Sequence, residues 1–160
     1  IVLGLLAMLP MLAAAVAVNT WRHGSRQLQV SPLAPMKVDE AAVAERLAQA
    51  VRLPTVSSAT DAQLNADQFR ALHALLQKQF PRVHASLKRE LVNDLSLLYT
   101  WEGTDPKANA IVLLAHQDVV PVAPGTEGDW QQPPFAGLVK GGYVWGRGSW
   151  DDKGNLLAQL

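Results

Sequence analysis

The sequence predicts an α/β domain in which helices are followed by strands. Apolar residues recur at helical spacing between residues 39 and 80, whereas short apolar runs typical of strands begin after that point. Residues 110–115 (AIVLLA) are apolar without a break, which is typical of a strand covered on both faces. Helices followed by strands, one of them buried, indicate an α/β layered domain.

Composition excludes several classes of protein. The chain has 160 residues, with 14 basic and 14 acidic side chains and no cysteine. The balance of charge argues against broad electrostatic binding of nucleic acid, which requires a surplus of Lys and Arg. The lack of cysteine excludes disulfide scaffolds and thiolate metal sites. The length fits one domain.

Residues 1–18 carry no charge and predict a signal peptide or a membrane anchor. Their number is near the lower limit for a helix that crosses about 30 Å of hydrocarbon. Ala15 and Ala17 form a small-x-small pattern that signal peptidase cleaves, while Trp21 and Arg22 resemble the interfacial end of an anchor. Both alternatives stay open. Either one makes the protein membrane-anchored or exported, to a periplasmic, extracellular or vacuolar-type lumen.

A linker and two helices are predicted next. Residues 19–38 contain prolines and no sustained period, as expected of a linker. The first predicted helix begins at Asp39, a residue type favoured as an N-cap, and ends before Pro54. The second covers residues 66–80 and is followed by Pro81.

Three strands are predicted after the helices. Residues 83–88 and 95–101 form the first two, separated by Asn93 and Asp94, which are residue types that favour turns. The third is the apolar run at residues 110–115.

His116 and Asp118 follow that run directly. Open α/β sheets place ligands at the carboxyl ends of their strands, so both residues lie where a site is expected. Positions two apart in an extended chain face the same side. Asp118 is therefore expected to reach one ring nitrogen of His116, which would fix the tautomer and leave the other nitrogen for a metal. The structural alternative is a strand-end pair that bonds only the backbone.

Glycines are concentrated in the last part of the chain. Eight of the eleven lie within residues 125–154, which indicates loops with special backbone angles. The Gly-x-Gly at 146–148 lacks both the third glycine of a dinucleotide site and the Lys-Ser/Thr of a P-loop, so nucleotide binding is disfavoured. Asp151 is a hard oxygen ligand that we expect to meet His116 in space.

Three motifs follow one another along the chain: H-x-D-V-V-P at 116–121, W-x-x-P-P-F at 130–135 and G-R-G-S-x-D-D-K at 146–153. Together they resemble the M20 family of zinc metallopeptidases, in particular its carboxypeptidase S and N-acyl-amino-acid hydrolase branch. The resemblance covers residues 39–160. It implies a mixed-sheet zinc-peptidase catalytic domain of phosphorylase/hydrolase-like fold. Since residues 154–160 look like the opening of a helix, we expect only the N-terminal part of that domain.

The resemblance also implies the roles of individual residues. His116 would ligate one zinc ion, Asp151 would bridge two, and Asp118 would be the catalytic carboxylate that orients His116. Asp152 matches a position where the peptide bond is often cis. Structural roles are expected for the remaining residues of these motifs: Arg147, Lys153, Trp130 and Phe135.

The function implied is zinc-dependent hydrolysis of an amide bond that releases an amino acid with a free carboxylate. The enzyme would be a carboxypeptidase or an N-acyl-amino-acid amidohydrolase with two zinc ions. Its expected partners are a small peptide or N-acyl amino acid, a membrane if residues 1–18 stay uncleaved, and a second copy through a domain absent from this chain. The general base and further ligands are expected downstream, so the chain alone should be inactive.

A second hypothesis is a membrane-tethered interaction module that keeps the peptidase-like fold without a working site. The intact set of His116, Asp118 and Asp151 weighs against it.

Overall fold

The computed structural model describes residues 2–160, with side chains from residue 8 onward, and it separates between Lys37 and Val38 into two units. The first unit contains helix α1 (Val2–His23). Across the described residues, no helix combines the length and the apolar character that a membrane crossing requires. Ile1, the first residue of the predicted signal or anchor segment, lies outside the described residues. The nature of that segment stays a prediction.

Helix α2 (Glu40–Val51) begins the second unit and confirms the first predicted helix. Asp39 caps it, because its carboxylate accepts a hydrogen bond of 3.0 Å from the amide of Ala42. A cap of this kind stabilises a helix by about 1 kcal/mol. The buried face of α2 consists of small or β-branched side chains, which are Ala48, Ala50 and Val51.

Helix α3 (Ala66–Gln79) confirms the second predicted helix. Leu72 and Leu76 are fully buried and pack with Ala50 of α2. Burial of a leucine side chain contributes about 1.5 to 3 kcal/mol. The core of the second unit therefore lies between α2 and α3.

The prediction of a strand at residues 83–88 is wrong, because helix α4 (Pro81–Ser86) occupies most of that range. Proline is favourable at the first position of a helix, since its fixed φ suits the helix and the amide hydrogen it lacks would have no partner there. The ring of His84 also hydrogen-bonds the carbonyl oxygen of Phe80 at 2.9 Å, one helical turn earlier. The apolar residues of this range alternate as in a strand, but the backbone forms helical bonds, such as the one from the amide of Leu87 to the carbonyl oxygen of Val83 at 2.9 Å.

Strands β1 (Lys88–Val92) and β2 (Ser96–Thr100) form an antiparallel hairpin. Strand β2 confirms the second predicted strand, and β1 begins where the first was expected to end. The turn residues Asn93 and Asp94 have φ angles of 50° and 66°. Short polar side chains tolerate this left-handed conformation better than other non-glycine residues do.

A second antiparallel hairpin joins β3 (Leu138–Lys140) to β4 (Tyr143–Trp145). A turn then leads into helix α5 (Lys153–Gln159), which confirms the predicted start of a helix. This helix and the residue that follows it pack against the α2–α3 core through three leucines, Leu156, Leu157 and Leu160.

Residues 110–115 are not a buried strand, contrary to prediction. The side chains of Ile111 and Leu114 are 88% and 80% exposed. Among the described residues, neither hairpin pairs with this run, and the only bridge nearby is a parallel one between Val56 and Val119. A run covered on both faces needs a neighbouring strand at each edge, and the hairpins pair only within themselves. The predicted mixed sheet is therefore represented by two separate antiparallel pairs.

Candidate metal centre

His116 and Asp151 meet in space. The Nε2 atom of His116 lies 2.8 Å from Oδ1 of Asp151, although 35 residues separate them in the chain. Asp151 lies in the turn between β4 and α5, and His116 lies where the exposed run 110–115 ends. The predicted encounter of these two side chains is thus present, at a solvent-accessible position.

Asp118 lies on the other side of the His116 ring. The Nδ1 atom is 3.0 Å from the Asp118 carbonyl oxygen and 3.1 Å from its Oδ1. The hydroxyl of Ser57 donates a hydrogen bond to Oδ2 of the same carboxylate. The two-residue spacing therefore gives the contact that was predicted, while the role of Asp118 in catalysis stays a prediction.

The surroundings of His116 favour its protonated form. Partial burial lowers the pKa of the ring. The hydrogen bonds to Asp151 and to the Asp118 carbonyl, together with the charges of both carboxylates, outweigh that effect and raise the pKa above its usual value. A divalent cation would replace the Nε2 proton in the same negative environment, since metal binding requires neutral imidazole and ionised carboxylates.

These atoms fit part of a zinc site. Imidazole nitrogen and carboxylate oxygen are ligands that zinc takes, and a catalytic zinc usually has three protein ligands. Within residues 2–160, no group of three or more His, Cys, Asp or Glu side chains is placed to hold a metal ion. The described residues therefore offer two candidate ligands, and both their role and the number of ions stay predictions.

Asp152 holds the backbone of the candidate site. Its Oδ2 atom accepts a hydrogen bond of 3.0 Å from the amide of His116. The peptide bond between Asp151 and Asp152 is cis, as the family resemblance implied. The turn before α5 therefore contacts both the side chain and the main chain of His116.

The two cations of the last motif have structural contacts, as predicted. Lys153 is fully buried, and its Nζ atom donates to the carbonyl oxygens of Ala50 at 2.9 Å and Leu53 at 2.6 Å. Cations are favourable at the C-terminal end of a helix, which here is α2. Burial lowers the pKa of Lys153 to about 8. The guanidinium of Arg147 lies 4.9 Å from the centre of the Trp130 ring.

Sequence reasoning missed four polar residues that surround the His116 segment: Thr55, Ser57, His73 and Gln117. One signal was available. His73 is a polar residue on the apolar face of α3, beside Leu72 and Leu76, and it is only 7% exposed. A buried imidazole requires a hydrogen-bond partner, so its position predicts a specific polar contact.

We expect Asp118→Asn in the complete protein to lower kcat or zinc affinity by about 10 to 100-fold, the usual contribution of a group that orients a metal-bound histidine. The amide keeps the size of the side chain but removes its charge. Steady-state kinetics and zinc titration measure the effect, with Asp67→Asn on the exposed surface of α3 as the control. If Asp118→Asn keeps the kcat and zinc affinity of the wild type, the alternative is favoured in which His116 and Asp118 are a strand-end pair that bonds only the backbone.

His73 should make the stability of the chain depend on pH. Burial lowers its pKa, and the hydrogen bond with Gln117 only partly offsets that shift. Because the folded pKa is below the unfolded one, the stabilisation is complete above about pH 6.5 and is lost as pH falls through the folded pKa. Urea unfolding of wild type and His73→Gln from pH 7.5 to 5 should therefore show that the free energy of unfolding of the wild type falls more steeply with decreasing pH than that of the variant. Parallel pH profiles would contradict this.

Comparison with known proteins gives these residues a family. Residues 112–160 match the sequence model of "Peptidase family M20/M25/M40", and this range contains His116, Asp118 and Asp151. No solved structure matches the chain.

Three relatives represent the similarity to curated proteins. "Carboxypeptidase S" of Saccharomyces cerevisiae is 46% identical over 72% of this chain and 21% of its own length. "Probable carboxypeptidase S-like 2" of Dictyostelium discoideum is 35% identical over 91% of this chain and 29% of its own. The human "N-fatty-acyl-amino acid synthase/hydrolase PM20D1" is 34% identical over 99% of this chain and 32% of its own length. The chain thus spans between a fifth and a third of the length of these relatives.

The match includes all three predicted site residues, and the relatives include both subgroups that the motifs indicated. The chain belongs to the M20 family of peptidases, in the branch of carboxypeptidase S and the N-fatty-acyl-amino acid synthase/hydrolases.

Proposed function

We propose that this chain is part of a zinc-dependent hydrolase that cleaves an amide bond and releases an amino acid with a free carboxylate. The names of its relatives support the bond type, since a carboxypeptidase and an N-fatty-acyl-amino acid hydrolase both act on an amide to such an amino acid. The substrate would be a small peptide or an N-acyl amino acid.

The observation that carries the proposal is the approach of His116 to Asp151 at 2.8 Å, with Asp118 on the opposite edge of the ring. These three side chains are between 40% and 81% exposed, so their contacts are not needed to satisfy polar groups buried in an interior. Two acidic groups around one accessible imidazole form a charged centre that is open to a cation and a substrate. This arrangement favours a metal centre over a strand-end contact.

The residues of this chain would prepare the site as follows. The Nδ1–H group of His116 donates to Asp118, and in the protonated ring Nε2–H donates to Asp151; loss of that second proton would leave the Nε2 lone pair for zinc on the same side as Asp151. Asp151 supplies an anionic oxygen on the same side. Zinc bound by these atoms would supply Lewis-acid chemistry, which polarises a carbonyl group and acidifies water. We propose that two ions share Asp151, and that the general base and the other ligands come from sequence outside these 160 residues.

We also propose that residues 1–18 bring the enzyme to a membrane or into an exported compartment, as a signal peptide or an anchor. Their lack of charged residues supports this. A homodimer formed through another domain remains an expectation from the family resemblance.

The requirement for a free carboxylate gives a direct test. The complete protein should hydrolyse N-acyl amino acids or dipeptides. When the terminal carboxylate of the substrate is replaced by a carboxamide, the same scissile bond should be cleaved at least about tenfold more slowly, because a hydrogen bond to a charged group contributes about 1.5 to 3 kcal/mol. Each acid and its amide form a matched pair for kcat/KM. Equal rates for the two would contradict the proposed substrate class, and hydrolysis of neither would contradict the activity.

A further inference from the structure

Gln117 lies between His116 and Asp118, and its side chain contacts a different part of the protein. Its Oε1 atom is 2.7 Å from Nε2 of His73 on α3. Its Nε2 atom donates a hydrogen bond of 3.0 Å to the carbonyl oxygen of Leu95, in the turn before β2. Neighbouring residues of an extended segment face opposite sides, which separates these contacts from the candidate metal centre.

The directions of these hydrogen bonds define the state of His73. Because the amide nitrogen of Gln117 donates to Leu95, its amide oxygen faces the imidazole. Nε2 of His73 therefore carries a hydrogen and donates it to Gln117. His73 is only 7% exposed, so loss of this bond would leave a buried polar group without a partner. The hydrogen bond between His73 and Gln117 thus has one defined direction, and its loss would be unfavourable.

Thr55, which follows α2, forms a second set of hydrogen bonds with residues 117–119. The hydroxyl of Thr55, which is fully buried, donates to the carbonyl oxygen of Gln117 at 2.7 Å. The amide of Val119 donates to the carbonyl oxygen of Thr55 at 2.9 Å. By contrast, the described residues give the preceding run 110–115 no strand partner. Besides the bond from its own amide to Asp152, the segment of His116 is therefore held by the contacts of the residues that follow it.

We propose that His73 is a positioning residue for the metal centre: through Gln117 it fixes the backbone from which His116 and Asp118 project. This inference rests on the proposed role of His116 as a zinc ligand. His73 itself lies on the opposite side of the segment and touches neither substrate nor metal. Its effect is expected on the rate of the chemical step and on zinc affinity, with substrate binding unchanged.

The test compares substitutions of His73 in the complete protein. His73→Leu removes the donor while keeping an apolar side chain of similar reach. We expect kcat at saturating zinc to fall about tenfold, with KM unchanged, and zinc affinity to fall by a similar factor, which is the lower end of what partners of a metal-bound histidine contribute. His73→Gln places an amide nitrogen near the position of Nε2 and should restore most of both.

Leu76→Val is the matched control, because Leu76 is buried on the same helix and packs in the core. All variants are measured at a temperature where circular dichroism shows them folded. If His73→Leu does not fold, Gln117→Met removes the same hydrogen bond from the other partner. Equal losses in His73→Leu and Leu76→Val, or no recovery in His73→Gln, would overturn the inference.

Zinc affinity separates this inference from the proposed function. A wild-type protein that binds zinc but cleaves no amide would contradict the function, and the affinity of His73→Leu for zinc would still decide the role of His73. A wild-type protein that cleaves amides while His73→Leu behaves like the control would leave the function intact and refute the positioning role.

Discussion

Removal of metal from the complete protein is expected to abolish amide hydrolysis, and added zinc is expected to restore it. The described groups at the candidate centre are imidazole, carboxylates and the hydroxyl of Ser57, and none activates water at neutral pH as strongly as a Lewis acid does. The experiment is dialysis against a chelator, followed by elemental analysis and a rate measurement before and after zinc addition. The remaining rate of hydrolysis should equal the uncatalysed rate in buffer without protein.

A chelator saturated with zinc beforehand is the control for direct effects of the reagent. It should leave the rate unchanged. Full activity in protein shown to be free of metal would contradict the zinc-dependent mechanism, although the hydrolase assignment itself would stand.

The 160-residue chain on its own is expected to show no turnover and to bind zinc more weakly than about micromolar. His116 and Asp151 would provide two protein ligands where a catalytic zinc usually has three. Two further acidic side chains lie beside them among the described residues, and both are already engaged: Asp118 is bonded to His116 and Ser57, and Asp152 accepts a hydrogen bond from the amide of His116. Calorimetric zinc titration and an assay of amide hydrolysis measure the two expectations.

His116→Ala serves as the reference for zinc bound elsewhere on the chain. Its isotherm should differ little from that of the wild-type chain, since two ligands add little affinity over the rest of the surface. Submicromolar binding that is lost in His116→Ala, together with metal-dependent turnover, would show that the site is complete and that the proposed ligand set is wrong.

Local signals in the sequence were sufficient for the helices of the second unit. Asp39 is an N-cap, and apolar spacing identified α2 and α3, because these features depend on neighbours within one or two turns. Pro81 was interpreted only as the end of a helix. The same residue also begins α4, a choice that depends on the chain leaving α3 at that point.

Long-range features were harder to predict. An apolar run such as 110–115 indicates burial, but its sequence does not contain the strands that would pair with it. The His116–Asp118 contact is local and followed from spacing. The contact with Asp151 spans 35 residues and was expected chiefly from the family motifs, whereas the bond from His73 to Gln117 spans 44 and had no motif to reveal it.

The exposed run at 110–115 also affects how this chain behaves in concentrated solution. Six consecutive apolar residues without proline or charge, with no strand partner among the described residues, match the kind of segment that forms intermolecular β-structure. Copies of the chain would associate through this segment at a rate that rises with concentration. Since His116 follows the run directly, such self-association would also enclose this candidate ligand. Dilute conditions and a solubilising partner protein therefore suit the isolated chain.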